Sequence, residues 1–268
     1  SKQVKKVLKI RGISKKFKTI NGEKIIFEGL DLDIKDGDFV TVIGSNGAGK
    51  STLMNLVIGD IEAEDGKILL DSDDITRVDA HIRAKYISKV YQNPTFGTAP
   101  SMTIKENMAM AENKGKSFGL RFGLKKGAES RYKEILKTLG LGLENQLDTP
   151  VGLLSGGQRQ CLSLIMTTMQ KPKMLLLDEH TAALDPKTSI MIMEKTREIV
   201  ERDNLTTLMI THNLQDAIDY GNRLIMLHNK EIILDIRGED KKSLTIEKLL
   251  KVFHDKDNHS ISENMLFQ

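Results

Sequence analysis

Phe39-Val40-Thr41-Val42-Ile43-Gly44-Ser45-Asn46-Gly47-Ala48-Gly49-Lys50-Ser51-Thr52 is the stretch that decides the fold. Its first five residues are β-branched or apolar and read as a strand, Phe39–Ile43. A glycine-rich turn follows, and Lys50–Ile58 reads as a helix. The spacing fits G-x-x-x-x-G-K-[ST] between a strand and a helix, the context in which that pattern carries meaning. Glycines let the chain curl so that successive N–H groups point at one anion, and the helix N-terminus adds partial positive charge. Lys50 is placed to neutralise phosphates, and the Ser51 hydroxyl to face Mg²⁺. Four fixed positions arise by accident about once in a hundred chains of this length. The motif therefore implies a nucleotide-triphosphate cradle.

Outward from the cradle, Val7–Ile10 reads as a strand upstream. Downstream, Lys67–Asp71 and Tyr86–Tyr91 read as strands, the second ending at Gln92. Met102–Gln170 is predicted helical, with Asn113–Ser130 as a Gly- and Lys-rich loop at its centre. Lys173–Leu177 has the near-continuous apolar character of a strand buried on both faces. Thr188–Glu201 reads as a helix, Thr206–Thr211 as a strand and Arg223–Asp235 as a hairpin. The tail from Glu239 is polar, with an amphipathic helix at Leu244–Phe253 and a mobile end. Strands alternating with helices predict an α/β fold with a parallel-sheet core and a helical insertion.

Asp178 and Glu179 follow the buried strand at its carboxyl end, the edge where open parallel sheets bind ligands. Asp178 suits the Mg²⁺ shell, and Glu179 suits polarising an attacking water.

Composition narrows the class. The 268 residues are 39% hydrophobic and 29% charged, the profile of a globular protein with room for a sizeable core. A net charge of +3, no tryptophan and only 4% aromatics give no push toward nucleic acid. A single cysteine, Cys161, excludes an intrachain disulfide and fits a reducing compartment. No apolar run approaches the roughly 18–20 residues needed to cross a bilayer. The basic opening SKQVKKVLKIRG lacks the apolar stretch of a signal or anchor. A membrane role would thus need another chain to span the bilayer.

Leu154-Ser155-Gly156-Gly157-Gln158 resembles the signature of ABC ATPases, at that family's spacing upstream of the acidic strand. Ser155 is a good N-cap, and Gly156 and Gly157 expose backbone donors at a helix start, making a second anion site. Two such sites in one chain make sense if two chains pair head-to-tail, each covering the other's ATP. Further landmarks agree. Gln92 resembles the Q-loop glutamine, Ala182-Ala183-Leu184-Asp185 the D-loop at the dimer interface, and His212 the switch histidine. Phe17 stands where the family stacks an aromatic ring on adenine.

The resemblance spans about Val7 to Asp235. It implies a P-loop NTPase core with a parallel sheet, an N-terminal antiparallel β subdomain and an inserted helical subdomain. It assigns residues 1–238 to the cassette, with the helical part at about 95–170, and 239–268 to an extension. ATP would be held by Phe17, by Gly44, Ser45, Asn46, Gly47, Ala48, Gly49, Lys50, Ser51 and Thr52, and by Ser155, Gly156, Gly157 and Gln158. Mg²⁺ would be held by Ser51, Gln92 and Asp178. Glu179, His212 and Gln92 would carry hydrolysis, and Ala183, Leu184 and Asp185 the dimer contact. His180 stands where Pro is commonest, Ala182 where Ser is usual, and Cys161 where a small residue is frequent. None of these removes a catalytic group.

One cradle and one signature imply a half-site chain, as in bacterial importers. The stretch from Gln92 to Met108, QNPTFGTAPSMTIKENM, resembles ATPases that serve amino-acid permeases and their extracellular solute-binding lipoproteins, aromatic amino acids among them. The family uses this surface as the groove for a permease's coupling helix. The expectation is an ATP-dependent homodimer on the cytoplasmic face of a membrane, with no nucleic-acid partner. A soluble ABC-type ATPase of Fe–S assembly, translation or repair is the alternative. The basic set Lys114, Lys116, Arg121, Lys125 and Lys126 reads as a solvated loop more readily than a lipid-binding patch.

Overall fold

The computed structural model describes residues 5–115 and 124–266, with side chains through 258. Lys116 and Arg121 of the basic set, and the last two residues of the tail, lie outside the described residues. The chain divides into two compact units: residues 1–57, 61–77 and 208–268, and residues 58–60 and 78–207.

In the first unit, β1 (Lys6–Thr19) and β2 (Gly22–Lys35) form a long antiparallel hairpin, closing at the Thr19↔Gly22 pair. β1 also pairs antiparallel with β4 (Asp65–Leu70), which carries the short β5 (Asp73–Asp74). This sheet is the antiparallel β layer that the family resemblance implied. It is much larger than the Val7–Ile10 strand read from sequence, and β2 was not anticipated. Register shifts around Ile13, Lys15 and Lys16 break the strict alternation that would have revealed β2. Its buried positions come as Ile26, Phe27, Leu30, Leu32 and Ile34, an uneven series set among Glu28, Asp31 and Asp33.

The second layer of this unit holds β3 (Phe39–Gly44), buried over its first five residues, beside β9 (Arg223–His228). The two run parallel, from Val40↔Arg223 to Gly44↔Leu227. β10 (Glu231–Arg237) returns antiparallel on β9, confirming the hairpin. β8 (Thr207–Ile210) flanks β3 on its other side. α1 (Lys50–Ile58) leaves the end of β3, and α7 (Leu214–Asp219) follows β8. The tail forms α8 (Gly238–Lys242) and α9 (Ile246–Leu266), the latter running well past the Leu244–Phe253 helix read from sequence. Leu249 anchors α9 in a cluster with Ile43, Ala217, Leu224 and Met226. Three carbonyls at the end of α7, from Ile218, Tyr220 and Gly221, accept hydrogen bonds from the buried Lys241 ammonium.

In the second unit, β6 (Ile87–Val90) and β7 (Met174–Asp178) pair in parallel, from Ile87↔Met174 to Val90↔Leu177. The rest is mainly helical: α2 (Ala80–Arg83), α3 (Ile104–Glu112), α4 (Ala128–Lys137), α5 (Gly156–Thr168) and α6 (Pro186–Asp203). Parallel pairing in both units bears out the α/β reading. α4 begins inside the stretch read as a loop; its apolar anchors Tyr132 and Leu136, four apart, are fully buried. Among the described residues no helix is long and apolar enough to cross a membrane.

Candidate functional site

The cradle is built by β3 and α1. A β-carbon on Gly44 would lie 2.6 Å from the Leu227 carbonyl oxygen, so the strand pairing itself demands glycine there. Gly49 has φ +105, and a β-carbon would strike the Phe27 ring at 2.6 Å. The turn is tied by Ala48 N–H donating to the Ser45 carbonyl at 3.0 Å. Lys50 is buried, and its Nζ curls back over the loop to donate to the Gly44 carbonyl. Ser45, Asn46, Gly47 and Ser51 are exposed, and Thr52 partly so. An ammonium beside an exposed glycine-rich turn at a helix start is a fit for a polyphosphate.

The same unit carries two further expected residues, His212 and Phe17. The β8 end is fixed to β3 by Thr211 N–H donating to the Val42 carbonyl at 3.2 Å. His212 follows, exposed, and Asn213 then caps α7 by accepting from Asp216 N–H at 3.0 Å. Burial, together with the Asp219 charge, pushes the Asp216 carboxyl up, while His212 pulls it down. Phe17 lies on β1, 38% exposed, opposite Lys24 of β2. Lys24 Nζ reaches the loop, where a β-carbon on Gly47 would sit 3.3 Å from it. Lys24 was not singled out from sequence; only the hairpin register reveals it.

In the second unit the acidic pair ends β7. Asp178 and Glu179 are half-buried after four fully buried residues, and β7 is pinned where Leu175 N–H donates to the Thr206 carbonyl at 2.8 Å. Glu179 has φ +46, a left-handed backbone unusual for a residue with a side chain, and its carbonyl accepts from Ala182 N–H at 3.0 Å. Such outliers persist where the surroundings over-determine them and mark sites. Next to it, His180 is fully buried, with Nε2 3.0 Å from the Thr196 hydroxyl; burial pushes its pKa down to about 4. It fills, as a neutral ring, the place where the family most often has Pro.

Ser155 caps α5. Its hydroxyl accepts from Gln158 N–H at 3.2 Å, and the Gln158 side chain accepts from Ser155 N–H at 3.1 Å. This reciprocal capping box is written in the sequence as Ser155-x-x-Gln158. The structure brings signature and D-loop together. A β-carbon on Gly157 would meet Thr188 Cγ2 at 2.4 Å, and one on Gly156 would lie 3.7 Å from Leu184. Asp185 caps α6 through Thr188, which holds its carboxyl below the usual range. Ala182, Ala183 and Asp185 are exposed. Gln160, fully buried on α5, donates to the Tyr91 carbonyl at 2.8 Å and to the His180 carbonyl at 2.6 Å. It fastens the signature helix to the residues flanking Gln92 and Glu179, a role invisible without the packing.

Gln92 is exposed at the end of β6. The segment beyond it is rigidly built. Buried Asn107 accepts from Ala99 N–H at 2.7 Å and donates to the carbonyls of Ala99, Met102 and Thr103. Over this frame Phe96 is 74% and Leu153 77% exposed. Cys161 is buried and burial pushes its thiol up to about 11, so it is a small apolar helix residue and not a reactive thiol. Lys125 and Lys126 are exposed.

Residues 27–182 match the family described as ABC transporter. A tyrosine transport ATP-binding protein of Clostridioides difficile is 50% identical over 248 residues, covering 92% of this chain and 98% of that protein. A spermidine/putrescine import ATP-binding protein of Pasteurella multocida is 32% identical over 254 residues, and this chain spans 64% of its length. Among solved structures, a dimeric ATP-binding cassette in a post-hydrolysis state bound to ADP and Pi superposes with a TM-score of 0.72 at 27% identity. That match covers 86% of this chain and 98% of the other.

Proposed function

The chain belongs to the ABC transporter family as an ATP-hydrolysing subunit, and from that premise we propose that it powers uptake of an aromatic amino acid, tyrosine or a close analogue, through a separate permease. ATPases of this family dimerise and work with membrane permease components. The observation that carries the solute is the 50% identity, nearly end to end, with a tyrosine transport ATP-binding protein. An extracellular solute-binding lipoprotein would deliver the amino acid, and the subunit would sit on the cytoplasmic face, held by its permease.

The residue roles follow from the chemistry each site offers. Lys50 and the backbone donors of Gly44–Thr52 hold the β- and γ-phosphates, and Phe17 stacks on adenine. The signature of the second copy, Ser155 to Gln158, closes over the γ-phosphate. Ala183, Leu184 and Asp185 meet that copy. Glu179 accepts a hydrogen bond from the attacking water and polarises it, and His212 contacts the γ-phosphate. Ser51, Asp178 and Gln92 supply oxygen donors for Mg²⁺, which when bound neutralises the developing phosphate charge. Among the described residues no group of three His, Cys, Asp or Glu forms a metal cage. Mg²⁺ takes one or two carboxylates and completes its shell with phosphate and water. Closure of the pair on ATP, and reopening after hydrolysis, shift the permease between states through contacts made in only one of them. Phe96 and Met102 lie on the surface that receives the permease.

Uptake of radiolabelled tyrosine by membrane vesicles carrying the cognate permease and receptor tests this reading. ATP-dependent accumulation that unlabelled tyrosine suppresses and spermidine does not is the expected result. Accumulation of a polyamine instead would reject the amino-acid assignment.

A further inference from the structure

Lys89 stands on β6, three residues before Gln92, and nothing in the roles above uses it. In the parallel register Lys89 pairs with Leu176. Side chains alternate along strands, so Lys89 shares its face with Asp178, two residues beyond Leu176. The contact follows: Lys89 Nζ lies 3.4 Å from Asp178 Oδ2. The same ammonium sits 4.8 Å from the centre of the Tyr91 ring. The Lys89 side chain is only 7% exposed, against 24% for Asp178.

A buried ammonium is costly unless it is paired. Here its partners are a carboxylate and an aromatic face, and both belong to the strand ends that flank the site. The carboxylate is the one assigned above to Mg²⁺, and an ammonium and a divalent ion compete for the same oxygen. We propose that Lys89 is a positioning residue that holds the Asp178 carboxylate as an internal stand-in cation, so that Mg²⁺ must displace it and enters only together with nucleotide. The inference rests on the reading of Asp178 as a magnesium ligand.

Two consequences follow. In the nucleotide-free subunit the ion pair keeps the Asp178 carboxylate aimed, with no metal required. In the loaded subunit, competition from Lys89 weakens the gain in nucleotide affinity that Mg²⁺ brings, because coupling between two ligands is reciprocal. A lysine that merely filled space would leave this coupling untouched.

The test uses the full chain and a fluorescent ADP analogue, whose affinity is measured with saturating Mg²⁺ and again in EDTA. The ratio of the two affinities is the readout, and it needs no hydrolysis. Lys89→Met is expected to raise the ratio about tenfold over wild type, within the usual range of such couplings. Lys89→Arg, which keeps the charge, should stay within about twofold. Asp178→Asn should collapse the ratio toward one, and adding Lys89→Met to it should change nothing further. An unchanged or lower ratio in Lys89→Met, with the collapse intact in Asp178→Asn, overturns the role of Lys89 and leaves Asp178 as the ligand. A wild-type ratio in Asp178→Asn overturns the ligand assignment itself, and the proposal with it. Circular dichroism checks the fold of each variant, and Lys89→Gln replaces Lys89→Met if the latter does not fold.

Discussion

The start of α1 and the start of α5 both present glycines and backbone donors at a helix N-terminus, yet they are built in opposite ways. At α1 the Gly44 and Gly49 positions are forced by close neighbours, and the loop carries its own cation, Lys50, folded over its carbonyls. At α5 the first turn is already satisfied from within: Ser155 and Gln158 cap each other, and the neighbouring Arg159 donates to the Gly152 carbonyl and the Thr95 hydroxyl. An anion bound at the first end meets a full charge and a curled backbone. An anion at the second meets a pre-formed edge of capped backbone. On the proposed reading the first end binds nucleotide alone, and the second adds contacts only once a nucleotide is presented to it. That asymmetry is what a site completed by a second copy requires.

The comparison breaks most visibly at Lys50. Lys50→Ala should weaken ATP binding by about a hundredfold or more, since a desolvated charge facing a polyphosphate is removed; isothermal titration measures this. Ser155→Arg should leave ATP affinity of the isolated chain within about twofold of wild type, while hydrolysis falls about a hundredfold. Lost nucleotide binding in Ser155→Arg would place both helix ends on one chain's nucleotide and dissolve the asymmetry.

The anchoring of α5 gives the next effect. Gln160 of α5 holds the His180 carbonyl, and His180 is buried and neutral with its pKa lowered from 6.5 to about 4. The unfolded chain takes up a proton on this ring below about pH 6.5, and the folded chain does not. The stabilisation is thus whole above that pH and is lost as pH falls toward 4, by about 3 kcal/mol in all. Urea unfolding of wild type against His180→Gln should show the gap between them closing by that amount from pH 7 to pH 4. A constant gap would contradict a neutral buried ring. The smallest effect belongs to the cap: Gln158→Ala should cost about 1 kcal/mol of stability in the same assay.

Much of this was legible in the sequence, because the decisive motifs are local. The cradle, the buried β7 with its acidic pair, and the Ser155 cap each lie within a dozen residues. What escaped reading depends on pairing between distant segments. β2 was missed because its bulges break alternation and its exposed face is charged. Lys24, Lys89 and Gln160 look like ordinary polar residues until the register sets Lys24 against Gly47, Lys89 against Asp178 and Gln160 against two carbonyls. The left-handed backbone of Glu179 has no sequence signal at all, since glycine, the residue that advertises it, is absent there.

In the proposed mechanism two copies close around ATP, and Glu179 reopens them by driving hydrolysis. Glu179→Gln keeps the shape of the side chain and removes the charge that polarises water. Hydrolysis should fall about 10²–10⁴-fold, while ATP affinity stays near that of wild type. The closed pair should then accumulate. Size-exclusion chromatography at high concentration, with ATP and Mg²⁺, should show the 30.0 kDa chain moving toward twice its mass, and ADP should leave it in place. A Glu179→Gln chain that still turned over ATP at near wild-type rate, or stayed at 30.0 kDa with ATP bound, would contradict the account.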